Sequence, residues 1–121
     1  MKYDEGIEKE QLTIELFRIA GWNIKINEKK DSGCSYTPDL DLLLDNKVVG
    51  FVEIIANLST DRLAKKLELM RNFVINNKKM ILIITDLISF YICRNNKIET
   101  LYRVPTPLDL KIRNSFESEK C

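Results

Sequence analysis

The spacing of apolar positions along the chain changes several times, and each change predicts a new element. Residues 39–44 alternate, with Leu40, Leu42 and Leu44 on one side and Asp39, Asp41 and Leu43 on the other, as in a strand. Asp45, Asn46 and Lys47 come next as turn residues that tolerate left-handed backbone. Residues 48–56 are an almost continuous apolar run, the pattern of a strand buried on both faces. Upstream, residues 5–20 read as a helix closed by Gly21. Its apolar residues form one stripe of Leu12, Leu16, Ile19 and Ala20 and another of Ile7, Ile14 and Phe17. Residues 22–27 alternate as a strand, and residues 28–37 are a polar loop.

Beyond the hairpin, residues 57–61 carry N-cap signals and a helix runs to about residue 76. Leu63, Leu67, Met70 and Val74 form its sheet-facing stripe. Leu69 lies well off that stripe, either packing elsewhere or marking a contact surface. Lys65 projects opposite the stripe and Lys66 borders it. Residues 80–85 (MILIIT) are a buried strand, too short and too β-branched for a helix. Strand, crossover helix and strand predict a right-handed unit with parallel strands. Residues 89–94 and 97–103 read as a terminal hairpin. Pro105 and Pro107 end regular structure, and residues 108–121 read as a short helix or a frayed tail.

Two acids interrupt this pattern. Glu53 sits in the middle of the buried run, where an unpaired carboxylate costs several kcal/mol unless it is paired or binds metal. Glu10 falls on the line of Ile14 and Phe17. Glu10 has an ordinary reading too: a long side chain at a stripe's edge that reaches water. For Glu53, Asp39 on the neighbouring strand supplies a reason. Two carboxylates converging across a hairpin make a hard-oxygen pocket suited to Mg²⁺ or Mn²⁺. The plain alternative is that Asp39 merely starts a strand and Glu53 pairs with a lysine or arginine.

Pro38-Asp39, a hairpin, then Glu53-x-Ile55 resembles the core of the PD-(D/E)xK nucleases. That superfamily includes restriction endonucleases, archaeal Holliday-junction resolvases and the N-terminal nuclease domain of type I restriction subunits. Helix, Gly21, aromatic Trp22 and strand are similar to its opening elements. Ile84-Thr85-Asp86, then Phe90-Tyr91 and a hairpin, is similar to the segment after the core in the type I subunits. The resemblance covers residues 5–104. It implies an α/β fold, restriction-endonuclease-like, with a mixed β-sheet of about four to six strands flanked by two main helices. It also implies a Mg²⁺-dependent (or Mn²⁺-dependent) nuclease domain acting on DNA, of restriction, repair or resolvase type. Asp39 and Glu53 are then metal ligands, the backbone carbonyl of Ile54 adds a ligand, and Glu10 on the first helix supports the site, with Glu8 as the fallback.

The sequence departs from the family at one point: the motif lysine is replaced by Ile55. Lys66 is the best substitute by helical face, with Lys25 behind it. Lys29, Lys30, Ser35 and Tyr36 in the polar loop are candidates to meet a phosphate backbone, though a solvated loop accounts for them as well. The alternative function is a catalytically inactive nuclease-like module that binds nucleic acid or a protein partner.

Composition narrows these readings without choosing between them. At 121 residues the chain suits one compact domain, taken as residues 1–104, with residues 105–121 as a C-terminal extension. A net charge of +1 argues neither for nor against nucleic acid. Cys34, Cys93 and Cys121 form no zinc spacing and no disulfide framework, which points to a reducing cytoplasm. No apolar run suits a membrane span, and residues 1–5 lead straight into a polar helix rather than a secretory signal. The absence of histidine excludes Ser-His triads and His-metal sites. Resolvase-like nucleases cut both strands as dimers. A homodimer, or a place in a larger restriction or repair complex, is therefore expected, and light scattering showing only monomer would count against the former.

Overall fold

The computed structural model describes residues 5–28, 37–55, 59–77, 79–94 and 97–109. The chain forms α1 (Glu5–Ile19), β1 (Asn23–Ile26), β2 (Leu40–Leu44), β3 (Lys47–Ile54), α2 (Thr60–Leu69), α3 (Arg71–Asn76), β4 (Ile81–Thr85), β5 (Phe90–Arg94) and β6 (Lys97–Leu101). The strands make a six-stranded mixed sheet whose spatial order is the chain order, β1 through β6. β3 and β4 are parallel, joined across α2 and α3, and every other neighbour is antiparallel. The expected mixed α/β architecture, the crossover and the terminal hairpin are all present.

Side-chain alternation divides the core into two layers. Leu40, Leu42, Val52, Ile81, Ile83, Phe90 and Ile92 face α1, where Ile14 and Phe17 meet them. Leu82 and Ile84 face the other way, with Phe51, Ile55, Tyr91 and Cys93, and are covered by Met70, Leu63, Leu67 and Val74. β4 is central and buried at every position, which is why its sequence lacks alternation.

Of the two stripes on α1, the sheet takes the one containing Ile14 and Phe17, together with Thr13. Leu12 and Ile19 of the other remain exposed. The Thr13 hydroxyl is satisfied within the helix, donating to the Lys9 carbonyl at 2.7 Å. The helix ends in a Schellman motif: the Trp22 N–H reaches the Phe17 carbonyl at 3.0 Å and the Gly21 N–H reaches the Arg18 carbonyl at 2.9 Å. Gly21 supplies the positive φ of 108° that this motif needs.

The helix expected through residue 76 is divided at Met70, whose φ of −92° and ψ of 6° leave the helical region. Met70 is fully buried against Leu82 and Ile84, so the break turns α3 while Val74 stays on the same layer. The β2–β3 turn has positive φ at both Asp45 and Asn46, as a two-residue hairpin requires. Past β6, residues 105–109 still pack on the core: Pro105 is buried and its carbonyl accepts the indole N–H of Trp22 at 2.8 Å. No helix among the described residues is long and apolar enough to cross a membrane.

Candidate metal site where β2 and β3 part

The β2–β3 ladder runs to the pair Leu40–Val52 and stops there. Continuing its register would set Asp39 opposite Glu53 and Pro38 opposite Ile54. Instead the Ile54 N–H donates to Asp39 Oδ2 at 2.8 Å, so a side-chain carboxylate takes the place of a main-chain acceptor. The parting strands thus leave a gap with a carboxylate in it. The N–H and C=O of one strand residue point to the same side, so the Ile54 carbonyl faces that gap too.

Asp39 is anchored from its other side. Its carbonyl accepts the Asn27 N–H at 3.1 Å, and the Asn27 side-chain amide donates to Asp41 Oδ1 at 2.7 Å. Asn27 and Asp41 were not singled out by sequence. The available signal was that Asp41 shares the parity of Asp39 and that an asparagine closes the preceding strand.

Glu53 shares the parity of Phe51 and Ile55, so its side chain enters the layer beneath α2 and is only 2% exposed. There Lys66 Nζ donates to Glu53 Oε2 at 2.8 Å. Lys66 comes from the border of the apolar stripe and its side chain is 26% exposed, so the ammonium stands between the buried carboxylate and water. An ammonium has three donors, and this bond uses one.

The structure therefore brings Asp39, Glu53, the Ile54 backbone and Lys66 to one end of β3. Glu10 is placed differently. It is half-buried one turn before Thr13 and Ile14 on α1, which covers the opposite face, so the sheet stands between it and Glu53. Glu8 is exposed on the same helix. Lys25 is exposed on β1, opposite Asp41. Lys29, Lys30, Ser35 and Tyr36 lie outside the described residues, as do Cys34 and Cys121.

A second concavity lies on the same layer, towards β5 and β6. It is a cleft of about 310 Å³ floored by Phe51, Phe73, Leu82 and Cys93 and rimmed by Arg94 and Lys97. Burial pushes the Cys93 thiol up to about 11, so it is a poor nucleophile at neutral pH. Among the described residues no carboxylate lines this cleft.

Among the described residues no group of three or more His, Cys, Asp or Glu side chains converges. The oxygen donors at the end of β3 are the two carboxylates and the Ile54 carbonyl. That set fits Mg²⁺, which is commonly held by one or two carboxylates while it keeps several waters. No protein-family model, curated protein or solved structure matches the chain.

Proposed function

We propose that the chain is a nuclease domain of the PD-(D/E)xK type that hydrolyses phosphodiester bonds, most simply in DNA, with Mg²⁺ or Mn²⁺ as its cofactor. The observation carrying this reading is the Lys66–Glu53 contact of 2.8 Å. It puts a lysine beside the motif glutamate although the motif position itself is Ile55. The element order supports it as well: a helix, three antiparallel strands, a crossover and a parallel strand.

Asp39 and Glu53 would hold the ion together with the Ile54 carbonyl. Bound there, it supplies Lewis-acid polarisation of a phosphoryl oxygen and a water of lowered pKa. Lys66 has two roles at its stated atom. Nζ holds the Glu53 carboxylate in one orientation, and its remaining donors face negative charge that develops on a phosphoryl oxygen. Asp39 holds the end of β3 in place through the Ile54 N–H, so substituting it disturbs backbone and charge together.

One observation favours the second reading, a nuclease-like module that binds without cutting. Glu53 is neutralised by Lys66 and Asp39 is hydrogen-bonded by Ile54, so both acids have partners without any ion. Calorimetric titration of Mn²⁺ into the wild type and into Glu53→Gln separates the two. Binding by the wild type and its loss in the variant is the expected result, with metal-dependent DNA cleavage abolished in Asp39→Ala. Absence of binding in both proteins would sink the nuclease reading.

A further inference from the structure

The charges of α2 are segregated around the helix. At helical spacing, Arg62, Lys66 and Leu69 succeed one another along the flank beside Glu53, and Lys65 stands on the crest of the helix, opposite the sheet-facing stripe. Asp61 and Glu68 lie just past the crest, each within one turn of Lys65, and Glu68 is ion-paired with Arg71. Among the described residues neither Arg62 nor Lys65 has an ion-pair partner, although Asp61 lies one turn from Lys65. Leu69 is 76% exposed on the basic flank.

That flank stands beside the β1–β2 end of the sheet. The layer under α2 and α3 draws on β3, β4 and β5, and no described residue of β1 or β2 belongs to it. Lys66 reaches β3, the strand that borders β2, so its side of the helix faces β2 and β1, which no described residue of α2 or α3 covers. Lys25, Asp41 and Leu43 share the parity of Asp39 and form the floor there, with Lys25 exposed at the outer edge. The result is a step in the surface. α2 is the wall, β1 and β2 are the tread, and the Asp39–Glu53 pair sits at the inner corner.

An exposed basic helix flank is ordinarily just solvated. Three features separate this one: Arg62 and Lys65 have no acidic partners among the described residues, an exposed leucine lies beside them, and the step runs through the carboxylate corner. Cations alternating with an apolar side chain match a polymer with phosphates and flat apolar bases. A net charge of only +1 gives little long-range attraction, so binding has to come from such local contacts. We propose that this step is the track for a nucleic-acid strand, with Arg62 holding a backbone phosphate from the wall, Lys65 holding one from its crest, Lys25 holding one from the outer edge, and Leu69 meeting a base. The identity of the polymer rests on the phosphodiesterase reading above.

The test uses fluorescence anisotropy of the whole chain with a fluorescein-labelled single-stranded DNA of about 20 nucleotides, titrated between about 50 and about 200 mM KCl. The proteins are wild type, Arg62→Ala/Lys65→Ala, and Leu69→Ala, with Glu68→Ala past the crest as control. All these side chains are exposed, so melting temperatures should stay together. The expected result is at least a tenfold loss of affinity in the double variant. The slope of log K against log salt should fall by about 1.4, which is about 0.7 for each lost phosphate contact. Leu69→Ala should weaken binding with the slope unchanged, and Glu68→Ala should bind as the wild type does. No binding by the wild type, or equal binding by wild type and double variant, would overturn the proposal. Mn²⁺ calorimetry on the same preparations keeps the two ideas apart. Strand binding without metal binding removes the nuclease reading and leaves the track standing, while metal binding without strand binding does the reverse.

Discussion

At the residue scale, Lys66 and Glu53 are unequal partners. Glu53 is sealed from water, whereas Lys66 reaches it. Removing the lysine takes the ammonium away from a buried carboxylate, while removing the carboxylate releases an ammonium that can swing outward. Lys66→Met should therefore cost about 1–3 kcal/mol in urea unfolding, below the usual range for a broken buried pair because water reaches this one. Glu53→Gln should cost less. Equal losses would mean that the pair is solvated alike on both sides. Sequence pointed to Glu53 because a single acid in an apolar strand needs an explanation, and to Lys66 because helical spacing put it at the stripe's border. The bond from the Ile54 N–H to Asp39 was beyond its reach, since nothing in the residue pattern says where a ladder stops. The separation of Glu10 from Glu53 was hidden for a related reason. Periodicity says that a residue faces a sheet, but not which side of the sheet it faces.

At the element scale, the parallel pair β3–β4 is joined by a close backbone approach. Its first rung sets Gly50 against Ile81. A Cβ on Gly50 would lie 2.6 Å from the Ile81 carbonyl oxygen, and backbone on both sides leaves it little room to move. Gly50→Ala should destabilise the protein by about 1–3 kcal/mol in urea unfolding, as overpacking generally does. An unchanged midpoint would show that the strands slide apart at little cost. The hairpins were legible from alternation and turn residues, and the central strand from its uninterrupted β-branched run. The division of the second helix at Met70 was not legible. The apolar stripe continues through it without a proline or glycine, and the bend results from burying Met70 against Leu82 and Ile84.

At the scale of the whole molecule, residues 105–109 act as a clasp. The Pro105 carbonyl is bonded to Trp22 and Pro107 lies against Gly21. Arg103 Nη1 bonds Asp109 Oδ2 at 2.8 Å, and the Thr106 N–H bonds the same oxygen at 3.0 Å. The Arg103 hydrogen bond, aided by Thr106, holds the Asp109 carboxyl down at about 2. A depressed carboxyl contributes stability above its ordinary value of 3.8, and loses it as the pH falls towards about 2. Trp22 is the chain's one tryptophan and is 3% exposed, so its emission reports the clasp. Between about pH 4 and pH 2 the wild type should show a red shift that Asp109→Asn already shows in part at neutral pH. A variant with wild-type emission throughout would remove the clasp's dependence on Asp109. Composition suggested an extension beginning at residue 105, but not that its first residues seal the tryptophan. That contact spans 83 positions, far beyond any local pattern.

The strand order of the sheet also bears on how the protein is made. Each strand's partner is the strand before it in the chain, so a ribosome releases every strand after its docking edge already exists. No strand has to wait for a distant neighbour, and none has to be inserted between two others. Assembly can advance from β1 to β6 at the pace of synthesis, with short loop closures at most steps and one longer closure across α2 and α3. Apart from the outer edge of β1, only the newest edge is open at any moment, which limits the time that the apolar β4 spends without β5 beside it.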